Sequence, residues 1–369
     1  MSHQRKWGRS GNVQYSLDID VNSACSNPLD VVNCNYKSHR TTISLPDTMS
    51  SQKQPVLGWI GLGSMGLNMA KNLQKHLTTT GGAALNFTNR TLSRGVALVE
   101  IGGVPCTTIA EVISKSDIIF SSISDDSVLE SVVSEMLACG NLTGKIIVDT
   151  STVHPDSSVK ASKKLTEAGA VFAAAPVFGA SPVAEAGQLL FVVAGPKVAT
   201  EAIAPYLKGV MGREVISLGE DVSKSSLMKT SGNFITAAMM EIISEAHVFA
   251  EKTGLGSEAM EMLIKENYGP LAYTMSRRLT TGVYLPAKNE KPWSDLNLAI
   301  KDVGHGITSA EKAGARLKIG EVVLGHLKEA KEYAETHGGK AMDSSSMYGV
   351  IREEAGLDFE TDLIKKRDA

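Results

Sequence analysis

The chain has 369 residues, 43% of them hydrophobic and 21% charged, with a formal net charge of −3 at pH 7. That length accommodates two domains. The near-neutral balance, with no basic stripe, excludes nucleic acid as the expected partner, and the lack of an apolar run of roughly 18 residues excludes a membrane span. Cys25, Cys34, Cys106 and Cys139 show neither CxxC nor Cys/His metal spacing. Reduced thiols and no metal are therefore expected, in an intracellular protein. The expected location is cytoplasmic, with the mitochondrial matrix as the alternative.

Residues 1–52 are rich in Ser, Asn, Asp and basic residues and lack apolar periodicity. They are expected to be a disordered extension, because such a segment buries too little to offset its ordering entropy. Arg5, Lys6 and Arg9 give a weakly basic start, but Asp18 and Asp20 follow, which is unlike an organelle presequence. Met49, just before the first expected strand, marks an alternative start of the folded protein.

Residues 53–220 alternate strand and helix patterns. Strands are expected at Val56–Ile60, Leu85–Thr88, Asp117–Ile123, Lys145–Thr150, Val171–Val177, Leu189–Ala194 and Val215–Leu218, with a helix over Leu67–Leu77. The strand runs are continuously apolar, which suits a parallel sheet buried on both faces. The expected fold class is α/β, a Rossmann-type doubly wound sheet. An all-α domain over 221–360, for substrate binding and dimerisation, is joined to it by one long helix over residues 222–253. Further helices are expected at Leu296–Ala313 and Ile319–Thr336, a loop at Tyr284–Pro292, and a tail at 361–369. No repeat of 20–50 residues is visible.

Gly61-Leu62-Gly63-Ser64-Met65-Gly66 follows the first strand and opens the first helix. That context makes it a dinucleotide loop: Gly61 for the turn, Gly63 for backbone approach to a pyrophosphate, Gly66 for helix–strand packing. About 20 residues on, an NAD site has a carboxylate for the ribose hydroxyls. Here Asn89-Arg90-Thr91 stands instead. A guanidinium pairs with a 2′-phosphate that a carboxylate would repel, so NADP is the expected cofactor, with NAD as the alternative.

Ile123-Ser124 and Asp149-Thr150-Ser151-Thr152 follow strand ends, where open α/β sheets bind ligands. The Ser151 and Thr152 hydroxyls either face the nicotinamide end and the substrate or cap the next helix. Ala175-Pro176-Val177-Phe178-Gly179-Ala180 runs a strand into a turn whose N–H groups suit a carboxylate. Lys229 and Asn233 are four residues apart on the long helix and share one face. Lysine suits proton transfer if burial or a nearby cation lowers its pKa, and Lys301 is the candidate cation. Asn233 would orient the reacting oxygen. Glu241, Glu245 and His305 are read as structural.

Together these motifs resemble the β-hydroxyacid dehydrogenase family, which includes 3-hydroxyisobutyrate dehydrogenase, glyoxylate/succinic semialdehyde reductases and, more distantly, 6-phosphogluconate dehydrogenase. The resemblance spans about residues 55–360. It implies that Lys229 is the general acid/base and Asn233 its orienting partner, with cofactor contacts at Ile123, Ser124, Thr152 and Lys301. Phe178, Gly179 and Ala180 match the family's substrate turn, usually Ser-Gly-Gly, so a ring replaces the serine hydroxyl here. The implied activity is hydride transfer between a nicotinamide cofactor and a small organic acid or aldehyde, by a homodimer or homotetramer. Two other readings are an imine-reductase-like enzyme and a non-catalytic NADP-binding module.

Overall fold

The computed structural model describes residues 54–369, so the extension expected at 1–52 lies outside the described residues. The first half alternates as the apolar runs require. It begins β1 (Leu57–Ile60), α1 (Ser64–Thr80), β2 (Asn86–Thr88), α2 (Val96–Val99), β3 (Val104–Pro105) and α3 (Ile109–Lys115). It continues β4 (Ile118–Ser121), α4 (Asp126–Ala138), β5 (Ile146–Asp149), α5 (Pro155–Glu167) and β6 (Val171–Ala174). These six strands form one parallel sheet in the order β3-β2-β1-β4-β5-β6. This is the doubly wound order, and its strand order reverses between β1 and β4, where such sheets bind ligands. Trp59, Phe87, Phe120 and Val148 fill one face, while Ile119, Ile147 and Phe172 fill the other. Both faces are dry, which is why the strands read as unbroken apolar runs.

The strand expected over Val171–Val177 is two strands. β6 ends at Ala174, and β7 (Val177–Phe178) belongs to a second sheet with β8 (Leu189–Val193) and β9 (Gly212–Ser217). Pro176 lies at the break; with no N–H it cannot continue a ladder, though its carbonyl accepts from Val192 N–H at 2.9 Å. β7 pairs antiparallel with β8, setting Phe178 opposite Leu190. Between these strands lie α6 (Ser181–Glu185) and α7 (Lys197–Leu207).

The long helix is α8 (Val222–Lys252), 31 residues and so about 46 Å at 1.5 Å per residue. Asp221 caps its start by accepting from Ser223 N–H. Its first turns pass the α/β half on small side chains: Ser225 Oγ donates to the Val192 carbonyl (2.6 Å), and Ser226 bonds Ser158 (2.7 Å). Its remaining turns centre a helical half made of α9 (Ser257–Asn267), α10 (Gly269–Thr280), α11 (Leu296–Lys312), α12 (Lys318–Thr336) and α13 (Met347–Glu354). The core there holds Met240, Ile243, Leu279, Leu327 and Ile351.

Residues 361–369, expected as a tail, form α14 (Asp362–Asp368). Of the apolar pair Leu363-Ile364 in this charged run, Ile364 is fully buried in the helical core, which the tail expectation misses. Tyr284 pins the approach to α14, donating to the Phe359 carbonyl (3.0 Å) and accepting from Thr361 N–H (2.9 Å). Replacing a buried Ile by Ala typically costs about 2–5 kcal/mol. Ile364→Ala should therefore lower the urea midpoint of the helical half clearly; an unchanged midpoint would return α14 to the status of a tail.

Candidate active site

The three loop glycines do different things. Gly61 has φ +95°, and its N–H donates to the Thr88 carbonyl at 3.0 Å. A Cβ there would lie 2.2 Å from the Ser122 carbonyl oxygen, and one on Gly66 would lie 2.3 Å from the Gly61 carbonyl oxygen. Those two sites are closed by packing. Gly63 has nothing within 4 Å of where its Cβ would stand. It is the N-cap of α1 and supplies no side-chain acceptor, and the first turn of α1 carries no acid. By contrast α3, α4, α5, α8 and α11 each have a capping side chain. The N–H groups at the first turn of α1 (Ser64, Met65, Gly66) are thus left for an anion, with the helix dipole behind them. Open space over free donors fits the pyrophosphate of a dinucleotide.

At the end of β2, Asn89 has two partners within the protein. Its Oδ1 accepts from Leu62 N–H (2.8 Å) and its Nδ2 donates to the Thr91 carbonyl (2.8 Å). Asn89 therefore props the glycine loop against β2, with one Nδ2 hydrogen and one Oδ1 lone pair uncommitted. Arg90 and Thr91 are exposed beside it.

The ends of β4 and β5 are stitched together. Ser151 Oγ donates to Asp149 Oδ1 (2.7 Å) and accepts from Ile123 N–H (2.8 Å). Ser121 Oγ donates to the same carboxylate oxygen at 2.9 Å. Burial pushes the Asp149 carboxyl up, against the lowering effect of these serines and of Lys301. Ser151 is thus engaged within the protein. Neither Ser151 nor Thr152 caps α5; His154 does, through Nδ1, with Pro155 at the first helical position. Ser124 is exposed and donates to Asp125, the cap of α4.

Lys229 and Asn233 do converge. Lys229 is 8% exposed, and its Nζ donates to Asn233 Oδ1 at 2.7 Å. Asn233 Nδ2 donates to Asp302 Oδ2 at 2.6 Å. An ammonium can only donate and a carboxylate can only accept, so this chain fixes the orientation of the amide. One Nδ2 hydrogen remains for a substrate oxygen. Asp302 Oδ1 lies 2.8 Å from Lys301 Nζ as an ion pair, and Lys301 donates to the Thr152 carbonyl. The helical half is thereby tied to the end of β5 through the catalytic candidates themselves.

Burial is what lowers the Lys229 pKa, to about 8; Asp302 opposes this and Lys301 adds a smaller push downward. The cation expected to shift Lys229 is present, but desolvation outweighs it, because Asp302 neutralises Lys301 at close range. The ring of Phe178 completes the surroundings, with its centroid 4.3 Å from Lys229 Nζ.

The turn after Phe178 is anchored to the glycine-loop helix. Asn68 Nδ2 donates to the Ser181 carbonyl (3.3 Å), and Asn72 Nδ2 donates to the Ala184 carbonyl (2.9 Å). Gly179 has φ +136°, and a Cβ there would meet Leu189 at 2.7 Å. The backbone of Gly179 and Ala180 is thus held in place beside α1. Sequence reasoning did not find Asn68, Asn72 or Asp302. The i, i+4 asparagines of α1 were a visible signal. Asp302 was visible only as the neighbour of Lys301.

An uncapped helix over an open glycine, at the carboxyl edge of a parallel sheet, is the arrangement of a dinucleotide site. Residues 56–219 match the NAD binding domain of 6-phosphogluconate dehydrogenase, and residues 224–351 match the NAD-binding domain described for NADP-dependent 3-hydroxyisobutyrate dehydrogenase. The chain is 31% identical over 300 residues to an NADH-dependent oxidoreductase, ucdB, of Aspergillus ustus, covering 80% of this chain and 99% of that one. It is 32% identical over 279 residues to glyoxylate/succinic semialdehyde reductase 2 of Arabidopsis thaliana, covering 71% and 74% respectively. Among solved structures, 3-hydroxyisobutyrate dehydrogenase of Mycobacterium tuberculosis shares the fold with a TM-score of 0.66 at 20% identity, over 81% of this chain and 99% of that one. The chain belongs to the β-hydroxyacid dehydrogenase family of NAD(P)-dependent enzymes.

The charge arrangement makes a measurable demand. Asp302 favours the protonated form of Lys229, so Asp302→Asn should move its titration from about 8 to lower pH. Nitrogen-15 NMR of lysine-labelled protein reads this directly; a midpoint that stays put or rises would show that Asp302 is not the counter-charge.

Proposed function

We propose that the protein is an NADP-preferring oxidoreductase that interconverts a small hydroxy acid and its oxo or semialdehyde form. Lys229 acts as general acid in reduction and general base in oxidation. The observation that carries this reading is the buried Lys229 ammonium, hydrogen-bonded to Asn233 and held near neutrality by desolvation. A bound nicotinamide supplies the hydride exchange at the substrate carbon. Gly61 to Gly66 and the start of α1 would hold its pyrophosphate, Arg90 a 2′-phosphate, and Ile123, Ser124, Thr152 and Lys301 the remainder. Asn89 and Thr91 shape that pocket, and Ser151 positions Ile123 at its wall.

Reduction places negative charge on the carbonyl oxygen as the carbon gains hydride. Lys229 gives that oxygen its proton, and the free Nδ2 hydrogen of Asn233 holds it in line. The backbone N–H groups of Gly179 and Ala180 would receive the substrate carboxylate. Retention of a buried, partnered lysine weighs against a non-catalytic module, which needs no tuned amine, and against imine reduction. Self-association as a homodimer or homotetramer would use Ile235, Ile242 and Phe249, a row on α8 at seven-residue spacing that is 55%, 58% and 61% exposed.

The cofactor preference rests on Arg90, since the Aspergillus relative is named NADH-dependent. Arg90→Ala should raise KM for NADPH far more than for NADH; equal effects would remove the basis for the preference. Lys229→Ala should lower kcat by roughly 10²–10⁴, the usual worth of a positioned acid or base. In the reductive direction the protonated lysine is the active form. Wild-type kcat should therefore fall as pH rises through about 8, and the oxidative direction should rise over the same range. Wild-type turnover in Lys229→Ala would overturn the proposal.

A further inference from the structure

Beyond Lys301 and Asp302, the face of α11 that meets the α/β half carries a second set of polar side chains. His305 lies one turn after Lys301, and Ser309 one turn after His305, so the three share a face. Lys301 donates to the Thr152 carbonyl, past the end of β5. His305 Nε2 reaches Asp126 in the first turn of α4 and donates to its Oδ2 at 2.7 Å. A carboxylate can only accept, so the shared proton belongs to the imidazole nitrogen. The His154 ring meets the His305 ring edge-on, with centroids 5.5 Å apart. His154 Nε2 lies 3.5 Å from Ser309 Oγ, and Lys312 at the last turn of α11 pairs with Asp156.

Asp126 is a joint of three segments. It follows Ile123-Ser124-Asp125, the loop that leaves β4. Its Oδ1 accepts from the His154 N–H at 2.8 Å, in the segment that leaves β5. Its Oδ2 takes the bond from α11. Burial acts to raise the Asp126 carboxyl, but bonds from His305, Ser157 and the His154 N–H outweigh it and hold the group well below the usual carboxylate range. The joint is therefore an anion at neutral pH. Asp302 stands three residues before His305 on the same helix and is the counter-charge of Lys229. The charged groups that act on Lys229 are Asp302 and Lys301, both on α11, while β7 presents the uncharged Phe178 ring. Neither His305 nor Asp126 is among those charges, so a change at His305 reaches Lys229 by moving α11.

We infer that His305 and Asp126 are positioning residues for the proton donor: their bond sets α11 against the ends of β4 and β5, and so fixes how far Asp302 stands from the Asn233–Lys229 couple. The catalytic consequence rests on the oxidoreductase reading above, whereas the positional link stands on the contacts alone. Val303 and Ile307 of α11 pack into the helical core, and the polar side chains of the helix are what meet the strand ends. Lys301 holds that side at one point, about which the helix can pivot. His305 supplies a second point one turn on, about 6 Å along the axis, and it lands on the α4 side rather than the β5 side. Two anchors on two strand ends remove the pivot, and reacting groups held to within a fraction of an ångström are what proton transfer requires.

The test reads the Lys229 titration by nitrogen-15 NMR of the full chain, with Lys229→Arg assigning the resonance. The wild-type midpoint is expected at about 8. His305→Ala should lower it by about half a unit, the effect of roughly 1 Å of added separation between unlike charges at an effective dielectric of about 20. His305→Gln should restore the wild-type midpoint, because its amide nitrogen reaches where Nε2 stands and donates to the same carboxylate. An effect of imidazole charge would instead appear in both variants. His305→Leu keeps the bulk without the donor, and it takes the place of the alanine variant if that one does not fold. With NADPH and succinic semialdehyde as the probe aldehyde, His305→Ala should lower reductive kcat by about tenfold while KM for NADPH changes by less than about twofold, and His305→Gln should recover the loss. A midpoint unchanged in both His305→Ala and His305→Leu, or a shift that His305→Gln shares, would overturn the inference and leave the oxidoreductase reading standing. A wild-type chain that turns over no oxo acid with NADPH or NADH would overturn that reading, and the Lys229 midpoint would still decide the positional link.

Discussion

An ammonium group shielded from water is unstable unless its surroundings supply acceptors and compensating charge. Lys229 is in that position, and much of the site is arranged around it. Asn233 provides one hydrogen bond and Asp302, one step further, the negative charge. Asp302 does not touch Lys229. A direct ion pair would hold the proton so firmly that transfer at neutral pH became difficult. Interposing a neutral amide leaves the lysine near the balance point, at about 8, and lets Lys301 absorb the other side of the carboxylate. The side chains that tune the proton also join the two halves of the molecule, because Lys301 reaches back to the Thr152 carbonyl. Any change in how α11 sits on the sheet would thus reach the lysine through two contacts.

The geometry that brings donor and acceptor together is set by close backbone approaches. Gly61 and Gly66 let β1, the loop and α1 nest against Ser122 with no room for a side chain. Asn89 then ties the loop to β2, and Asn68 and Asn72 tie α1 to the segment after Phe178. The glycine loop, the turn at Gly179–Ala180 and the strand ends are therefore one connected frame at the carboxyl edge of the sheet. Rigid elements hold reacting groups more exactly than free loops do, which is the condition for proton and hydride transfer in a fixed geometry.

The strand runs were legible because a parallel sheet buried on both faces leaves no polar alternation to blur them. The glycine loop was legible because Gly61 and Gly66 answer steric demands and Gly63 leaves open space over the start of α1, and Lys229 with Asn233 because helical spacing is a strict ruler. What escaped was non-local. The bonds of Asn89 to the Leu62 N–H and the Thr91 carbonyl follow from no spacing rule. Asp302 is 69 residues from Asn233, and no periodicity links them. The second sheet was read as more of the first because Val177 continues an apolar run, and only Pro176 marks the break. Leu363 and Ile364 are two adjacent apolar residues among charges, of which only Ile364 is buried, too little pattern to announce a docked helix.

Phe178 and Gly232 extend this point to the surroundings of Lys229. Taken separately, one is an aromatic at a turn and the other a small residue inside a helix, where glycine costs about 1 kcal/mol relative to alanine. Taken together, each explains the other. The helix tolerates glycine because a ring occupies the space above it, and the ring can face Lys229 because nothing projects from position 232. Lys229, Gly232 and Asn233 lie within five positions of α8, so the buried amine, the amide that bonds it and the seat of the ring share one stretch of helix. A substitution that alters the ring also alters the desolvation and the π contact felt by the lysine. One aromatic ring thus touches both the helix backbone at Gly232 and the surroundings of the Lys229 amine.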